Sequence, residues 1–235
     1  MTTAYLNGSF LPLEDASISV MDRGFLFGDG VYEVIPVYAG RLFRLEQHLQ
    51  RLQNSLDGVR IGNPLTPAAW RSLLEELVSR NTGSDQAVYL QVTRGVAPKR
   101  DHAFPAETRQ TVFAMSNPLP APRDVAAEPG IHAITLPDIR WLHCNIKATT
   151  LLPNVMLRQQ AVEADTAEAI LIKDGYATEG AASNIFIVRN GILVTPPKSP
   201  ALLPGITRDL VIELAAGNAV PYREVDITTA EPVSY

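Results

Sequence analysis

Between Asn117 and Arg123 the chain reads Asn-Pro-Leu-Pro-Ala-Pro-Arg, a stretch that neither a helix nor the interior of a sheet can pass through. Each proline fixes φ and removes a backbone donor, so the segment is a stiff extended connection. It predicts an N-terminal α+β domain over 1–117, a linker over 118–123 and a C-terminal domain over 124–235 that is cut short at its end. A length of 235 residues suits this division, because domains usually hold roughly 100–150 residues. With 46% hydrophobic and 19% charged residues there is apolar material for two cores and too little charge for disorder.

The same composition narrows the function classes. The longest apolar runs, such as 185–188 and 214–216, fall far short of the roughly 20 residues of a membrane-spanning helix. The N-terminal sequence MTTAYLNGSF lacks the basic and apolar regions of a signal peptide, and Cys144, the single cysteine, has no internal disulfide partner. A soluble protein of the cytoplasm is therefore expected. Twenty basic residues against 25 acidic ones, with no Lys/Arg-rich run, argue against a nucleic-acid partner.

Apolar runs either side of Asn7-Gly8 predict an opening hairpin, since both central positions of a type I′ turn need positive φ. Val31 to Tyr38 reads as a buried strand and Arg41 to Phe43 as its return. Leu45, Leu49, Leu52 and Leu56 then recur at helical spacing. Thr66-Pro67 is a good cap and first-turn pair for a second helix through Trp70, Leu73, Leu74 and Leu77. Gln86 to Thr93 and Thr111 to Met115 read as strands. Beyond the linker, strands are expected near 132–136, 169–173, 184–188 and 192–195, with helices near 153–164 and 208–216. The segment 227–235 reads as a helix start that is cut off.

Four lysines occur, at 99, 147, 173 and 198. Three lie beside Pro or Asp in turn-like sequence, whereas Lys147 sits between Ile146 and Ala148 in partly apolar surroundings. Desolvation disfavours the charged amine, the condition a Schiff-base lysine needs; a lysine snorkelling from a strand end is the other reading. Gly205-Ile206-Thr207-Arg208 precedes a helical pattern, so its amides could cradle a phosphate, or Thr207 could simply cap the helix. Glu179, among small residues, could pair with a ring nitrogen or be a solvated loop acid. Arg100 and His102 could together bind a carboxylate, or belong to a solvated basic loop. The histidines show no metal-ligand spacing with Cys144, and no Gly-x-Ser-x-Gly elbow occurs, so neither a metal site nor a serine hydrolase is expected.

Taken in order, these segments resemble the class IV, fold-type IV family of pyridoxal-phosphate aminotransferases, and within it the D-amino acid transaminase branch. The resemblance rests on Asp22-Arg-Gly-Phe-Leu-Phe-Gly-Asp-Gly-Val-Tyr-Glu33, His48-Leu-Gln-Arg-Leu52, Val92-Thr-Arg-Gly95, Arg100-Asp-His102, Asp138 to Lys147, Thr178 to Asn184 and Gly205 to Arg208. It implies a smaller α+β domain and a larger mixed-β domain with helices, the cofactor lying between them. It implies that Lys147 holds pyridoxal 5'-phosphate covalently and moves the substrate proton, and that Glu179 keeps the ring nitrogen protonated. Arg51, Ile206 and Thr207 match phosphate ligands, Leu203 the residue on the ring face, and Ser183 a neighbour of the cofactor hydroxyl. Tyr32, Arg100 and His102 match the trap for the substrate carboxylate, the last two reaching in from the partner of a homodimer.

The activity implied is ping-pong transamination between D-amino acids and 2-oxo acids such as 2-oxoglutarate. A branched-chain L-aminotransferase, an aminodeoxychorismate lyase and an inactive cofactor-binding protein are the alternatives. Family members continue into a further strand, a Thr/Ser-rich turn and a closing helix, so the resemblance also implies weakened cofactor binding here.

Overall fold

The computed structural model describes residues 2–120 and 130–229, and these fall into two compact units. The first comprises Met1–Arg123 together with Ile146–Thr150, and the second comprises Asp124–Asn145 and Leu151–Tyr235. The short return of 146–150 to the first unit differs from the sequence expectation, which placed everything beyond the linker in the C-terminal domain.

In the first unit, β1 (Thr3–Leu6) and β2 (Ser9–Pro12) form the expected hairpin, with Asn7 and Gly8 at φ +50° and +107°. A one-turn helix α1 (Arg23–Phe27), not expected from the sequence, precedes β3 (Gly30–Tyr38) and β4 (Arg41–Leu42). Helices α2 (Leu45–Gly58) and α3 (Pro67–Ser79) follow, then β5 (Gln86–Thr93) and β6 (Thr111–Pro118). The sheet order is β2-β1-β6-β5-β3-β4. Thr66 caps α3 as anticipated, its Oγ1 accepting from the Ala69 amide. Leu52, Leu56, Leu74 and Leu77 pack against Val31, Ile35, Val88 and Leu90 in one core. Full burial of such a side chain stabilises the fold by roughly 1.5–3 kcal/mol relative to exposure.

Strand β6 runs into the expected linker, because Pro118 still pairs with Gln86 at the strand end, where its missing N–H is harmless. The remainder of that linker from 121 onward lies outside the described residues.

The second unit contains β7 (Ala133–Pro137), α4 (Leu152–Glu163), β8 (Glu168–Lys173) and β9 (Tyr176–Gly180). Next come β10 (Ile187–Arg189), β11 (Ile192–Thr195), α5 (Ile206–Gly217), β12 (Tyr222–Glu224) and β13 (Ile227–Thr228). Strands β7 and β8 are parallel, and α4 is the crossover that parallel pairing requires. Leu157 and Ala161 of α4 pack on Ala169 and Leu171 of β8. The strand expected from 184 begins only at Ile187, since Asn184 is drawn into side-chain bonds described below. Ile227 and Thr228 are a strand paired with β9, not a helix start, and 230–235 lie outside the described residues. Among the described residues no helix is long and apolar enough to cross a membrane.

Candidate active site

In the first unit, α2 carries two stripes. Leu45, Leu49, Leu52 and Leu56 face the core, while His48, Arg51 and Ser55 recur at three and four residues and form a buried polar stripe beside them. That stripe meets β3 at Glu33. In β3 the inward residues alternate as Val31, Glu33, Ile35 and Val37, so Glu33 is a carboxylate at a position whose register demands an apolar side chain. Arg51 donates from Nε to Glu33 Oε1 at 2.8 Å and from Nη2 to Oε2 at 2.7 Å, and His48 Nδ1 lies 2.8 Å from Oε2. Burial works against the charged carboxyl, but Arg51 and His48 outweigh it and hold Glu33 below the usual carboxylate range.

Ser55, at the end of the stripe, accepts from the Lys147 amide at 3.1 Å. The Lys147 carbonyl accepts from the Tyr32 amide at 3.0 Å, Ala148 forms a bridge with Val31, and Thr149 bonds the Gly28 and Gly30 carbonyls. The lysine is thus held by its backbone along β3, not at the end of a strand. Its Nζ lies 4.2 Å from the centroid of the Tyr32 ring, which stacks on Tyr89. Burial together with Tyr32 pushes the Tyr89 phenol up to about 12.

Arg100 and His102 stand in an exposed loop of this same unit, both against Phe27: the Arg100 guanidinium is 5.0 Å from the ring centroid and the His102 ring 5.3 Å from it.

In the second unit Glu179 overturns the reading of a solvated loop acid. It lies on β9 and is 4% exposed. Its carboxylate pairs with Arg140 Nη1, accepts the Leu203 amide at 3.1 Å on both oxygens, and accepts from Asn184 Nδ2 at 2.9 Å. Arg140 is shared, because its Nε and Nη2 also bond the two oxygens of Asp138 at 2.9 and 2.8 Å. Burial lifts the Glu179 carboxyl above the usual range despite Arg140, and nearby Asp138 adds to the rise. Asp138, with more of the arginine, is held low.

Leu203 also accepts from Asn184 through its carbonyl. Gly205, Ile206 and Thr207 begin α5, and the cap is Gly205, not Thr207; it offers no side chain to the first-turn amides. A Cβ on Gly205 would come within 1.9 Å of Asn184 Oδ1, so only glycine lets the helix start approach the Glu179 cluster. Arg208, in the first turn, is buried with Nε lacking a hydrogen-bond partner. Ser183 donates to Glu168 at 2.8 Å.

The predicted site residues therefore divide into Tyr32, Arg51, Arg100, His102 and Lys147 in one unit and Glu179, Ser183, Leu203, Ile206 and Thr207 in the other. Sequence reasoning gave no role to Glu33, His48, Asp138, Arg140 or Asn184. Glu33 had a signal, a charge on the core face of an alternating strand; Asp138 and Arg140 are bonded two residues apart, but the acid they meet, Glu179, lies 39 positions from Arg140.

A family model described as amino-transferase class IV matches residues 30–231. The D-alanine aminotransferase of Bacillus licheniformis is 41% identical over 225 residues, which cover 96% of this chain and 79% of that protein. The branched-chain amino acid aminotransferase of Escherichia coli superposes with a TM-score of 0.89 at 27% identity, covering 97% of this chain and 78% of its own. The branched-chain aminotransferase of the thermophilic archaeon Thermoproteus uzoniensis, solved with norvaline, gives a TM-score of 0.86 at 27% identity, covering 97% of this chain and 80% of its own.

Proposed function

This chain belongs to the amino-transferase class IV family, and from that premise we propose that it transfers amino groups between D-amino acids and 2-oxo acids with pyridoxal 5'-phosphate. The observation that carries the reading is Lys147, whose backbone is fixed by Ser55 and Tyr32 so that its amine is presented at a set place over the Tyr32 ring. The D-amino acid reading draws on the 41% identity to a D-alanine aminotransferase, against 27% to the branched-chain enzymes, and on the Arg100-x-His102 loop.

The residues present fit the cofactor. Glu179 is a buried carboxylate of raised basicity, suited to holding a proton on an aromatic nitrogen. The uncapped first turn of α5 offers the Ile206 and Thr207 amides, with the helix dipole behind them, to a phosphate. On the family resemblance Arg51, whose Nε and Nη2 are engaged by Glu33, would be a phosphate ligand, Leu203 would pack on the ring, and Ser183, which donates to Glu168, would stand on its hydroxyl side.

When bound, the cofactor supplies an electron sink for the pair left on Cα when its proton departs. Lys147 Nζ would hold the cofactor and would carry the proton to and from the substrate Cα. Tyr32, with Arg100 and His102 contributed across a homodimer, holds the substrate carboxylate and so presents the Cα–H to Lys147 in one hand only.

D-Alanine and L-alanine should be compared as donors to 2-oxoglutarate, followed by borohydride reduction of the holoenzyme and peptide mapping. The expected result is turnover of the D form and a pyridoxyl label on Lys147. Equal turnover of both hands, or a label on Lys173 or Lys198 with Lys147 unlabelled, overturns the reading.

A further inference from the structure

We propose that Arg23 and Asp29 are positioning residues, forming with Arg94 a buried clamp that holds the backbone of the Arg100–His102 loop in the conformation that binds the substrate carboxylate. The proposal rests on the role given above to Arg100 and His102, and adds what keeps those side chains in place.

The loop needs such a device. Residues 98–104 are exposed apart from the half-buried Asp101 and carry no regular secondary structure. Yet three consecutive carbonyls of this segment converge on one guanidinium that is itself 3% exposed: Arg23 donates from Nη1 to Asp101 at 2.6 Å and to Ala103 at 3.3 Å, and from Nη2 to His102 at 3.2 Å. The remaining Nε of Arg23 donates to Asp29 Oδ2 at 2.7 Å. Asp29 is the hub, because Arg94 forks onto both of its oxygens at 2.8 and 2.9 Å. Arg94 in turn bonds the Val59 and Arg60 carbonyls and stacks on Phe104 at 3.6 Å from the ring centroid. The loop is thus gripped by its carbonyls at 101–103 and by its aromatic end at 104, from two arginines joined through one aspartate.

Side-chain order follows from the same group. Arg23 lies 4.8 Å from the Phe27 ring centroid, and that ring is the surface on which both Arg100 and His102 rest. Arginine suits this task because its planar fork serves several acceptors at once, whereas a lysine is a point donor. Arg94 and Arg23 outweigh burial and hold the Asp29 carboxyl below the ordinary range, so the hub stays charged near neutral pH.

Removing the Arg23 charge leaves no stranded anion, since Asp29 keeps Arg94, and the freed loop carbonyls can turn to water. R23M should therefore fold with a looser loop. The apparent affinity for a carboxylate substrate then falls by the fraction of loop still competent, for which roughly tenfold is expected.

The test uses the holoenzyme and three readouts. Tryptic cleavage after Lys99 and Arg100 should quicken by about an order of magnitude in R23M and by less in R23K. KM for D-alanine and for 2-oxoglutarate should rise roughly tenfold in R23M, with kcat changed by no more than about threefold and partial rescue in R23K. Single-turnover reaction with D-alaninol, which has no carboxylate, should be unchanged. D29N, which loosens the hub and leaves the loop carbonyls bonded, is the second variant and should move the first two readouts in the same direction by a smaller factor. Unchanged proteolysis in both variants overturns the clamp, and so does an equal loss for D-alanine and D-alaninol, which marks general damage. Faster proteolysis with unchanged KM overturns the link to substrate; R100A then locates the fault, because an unchanged KM in R100A means that the carboxylate role of the loop itself is wrong.

Discussion

Each unit buries one glutamate against one arginine, and the two pairs behave differently. Glu33 is bonded by two groups of α2, the fork of Arg51 and the ring of His48, and its acidity is strengthened. Glu179 shares Arg140 with Asp138, takes the rest of its bonds from neutral donors at Leu203 and Asn184, and becomes more basic than an ordinary carboxylate. A carboxylate forked by its own arginine and bonded by a histidine ring is a fixed part of the framework. One that must share its cation keeps an appetite for further positive charge, which is what a partner for a ring nitrogen requires.

The largest test of this contrast is to delete each arginine. R140M leaves Asp138 and Glu179 buried without a cation and should cost about 3–5 kcal/mol of stability. R51M leaves Glu33 with His48, so its loss should be smaller, about 2–3 kcal/mol. Thermal melts read this directly, at roughly 2–4 °C per kcal/mol for a chain of this size. Equal losses in the two variants would break the comparison.

The acid limb sharpens it. Glu33, Asp29 and Asp138 titrate lower in the folded protein than unfolded, so the stability they contribute is present above the unfolded carboxylate range and is lost as pH falls below about 4. Glu179 has the opposite sign: its raised value means that the cost of its charge is felt above the unfolded range and eases on acidification. E33Q should therefore flatten the fall of Tm between about pH 5 and 3, while E179Q should leave that fall as steep or steeper. The smallest effect is expected at Ser55. S55A removes one neutral acceptor from the Lys147 amide and should cost about 0.5–1.5 kcal/mol, measurable as a shift in denaturant midpoint with unchanged slope.

The residues themselves show where reading along the chain succeeds. The Leu45–Leu56 spacing, the Thr66-Pro67 start and the Asn7-Gly8 turn each state a local rule, and the structure obeys them. Glu33 was visible as an exception to alternation, though its partners were not. The strand at 176–180 and the short strands at 222–224 and 227–228 carry little apolar periodicity of their own and form by pairing with neighbours already in place. The residues that tune Glu179 lie up to 39 positions away in sequence, at Arg140.

By itself, then, the sequence determined the elements whose hydrophobic period, caps and turn residues are satisfied locally, and its ordered motifs determined the family. Tertiary structure alone decided that Glu179 is buried on a strand, that Arg140 is divided between two acids, and that Lys147 is stitched to β3, a strand from the far end of the chain. The physical reason is that burial and charge pairing depend on which distant groups share a desolvated space, and no periodicity within a segment encodes the identity of a partner brought there by the packing of another.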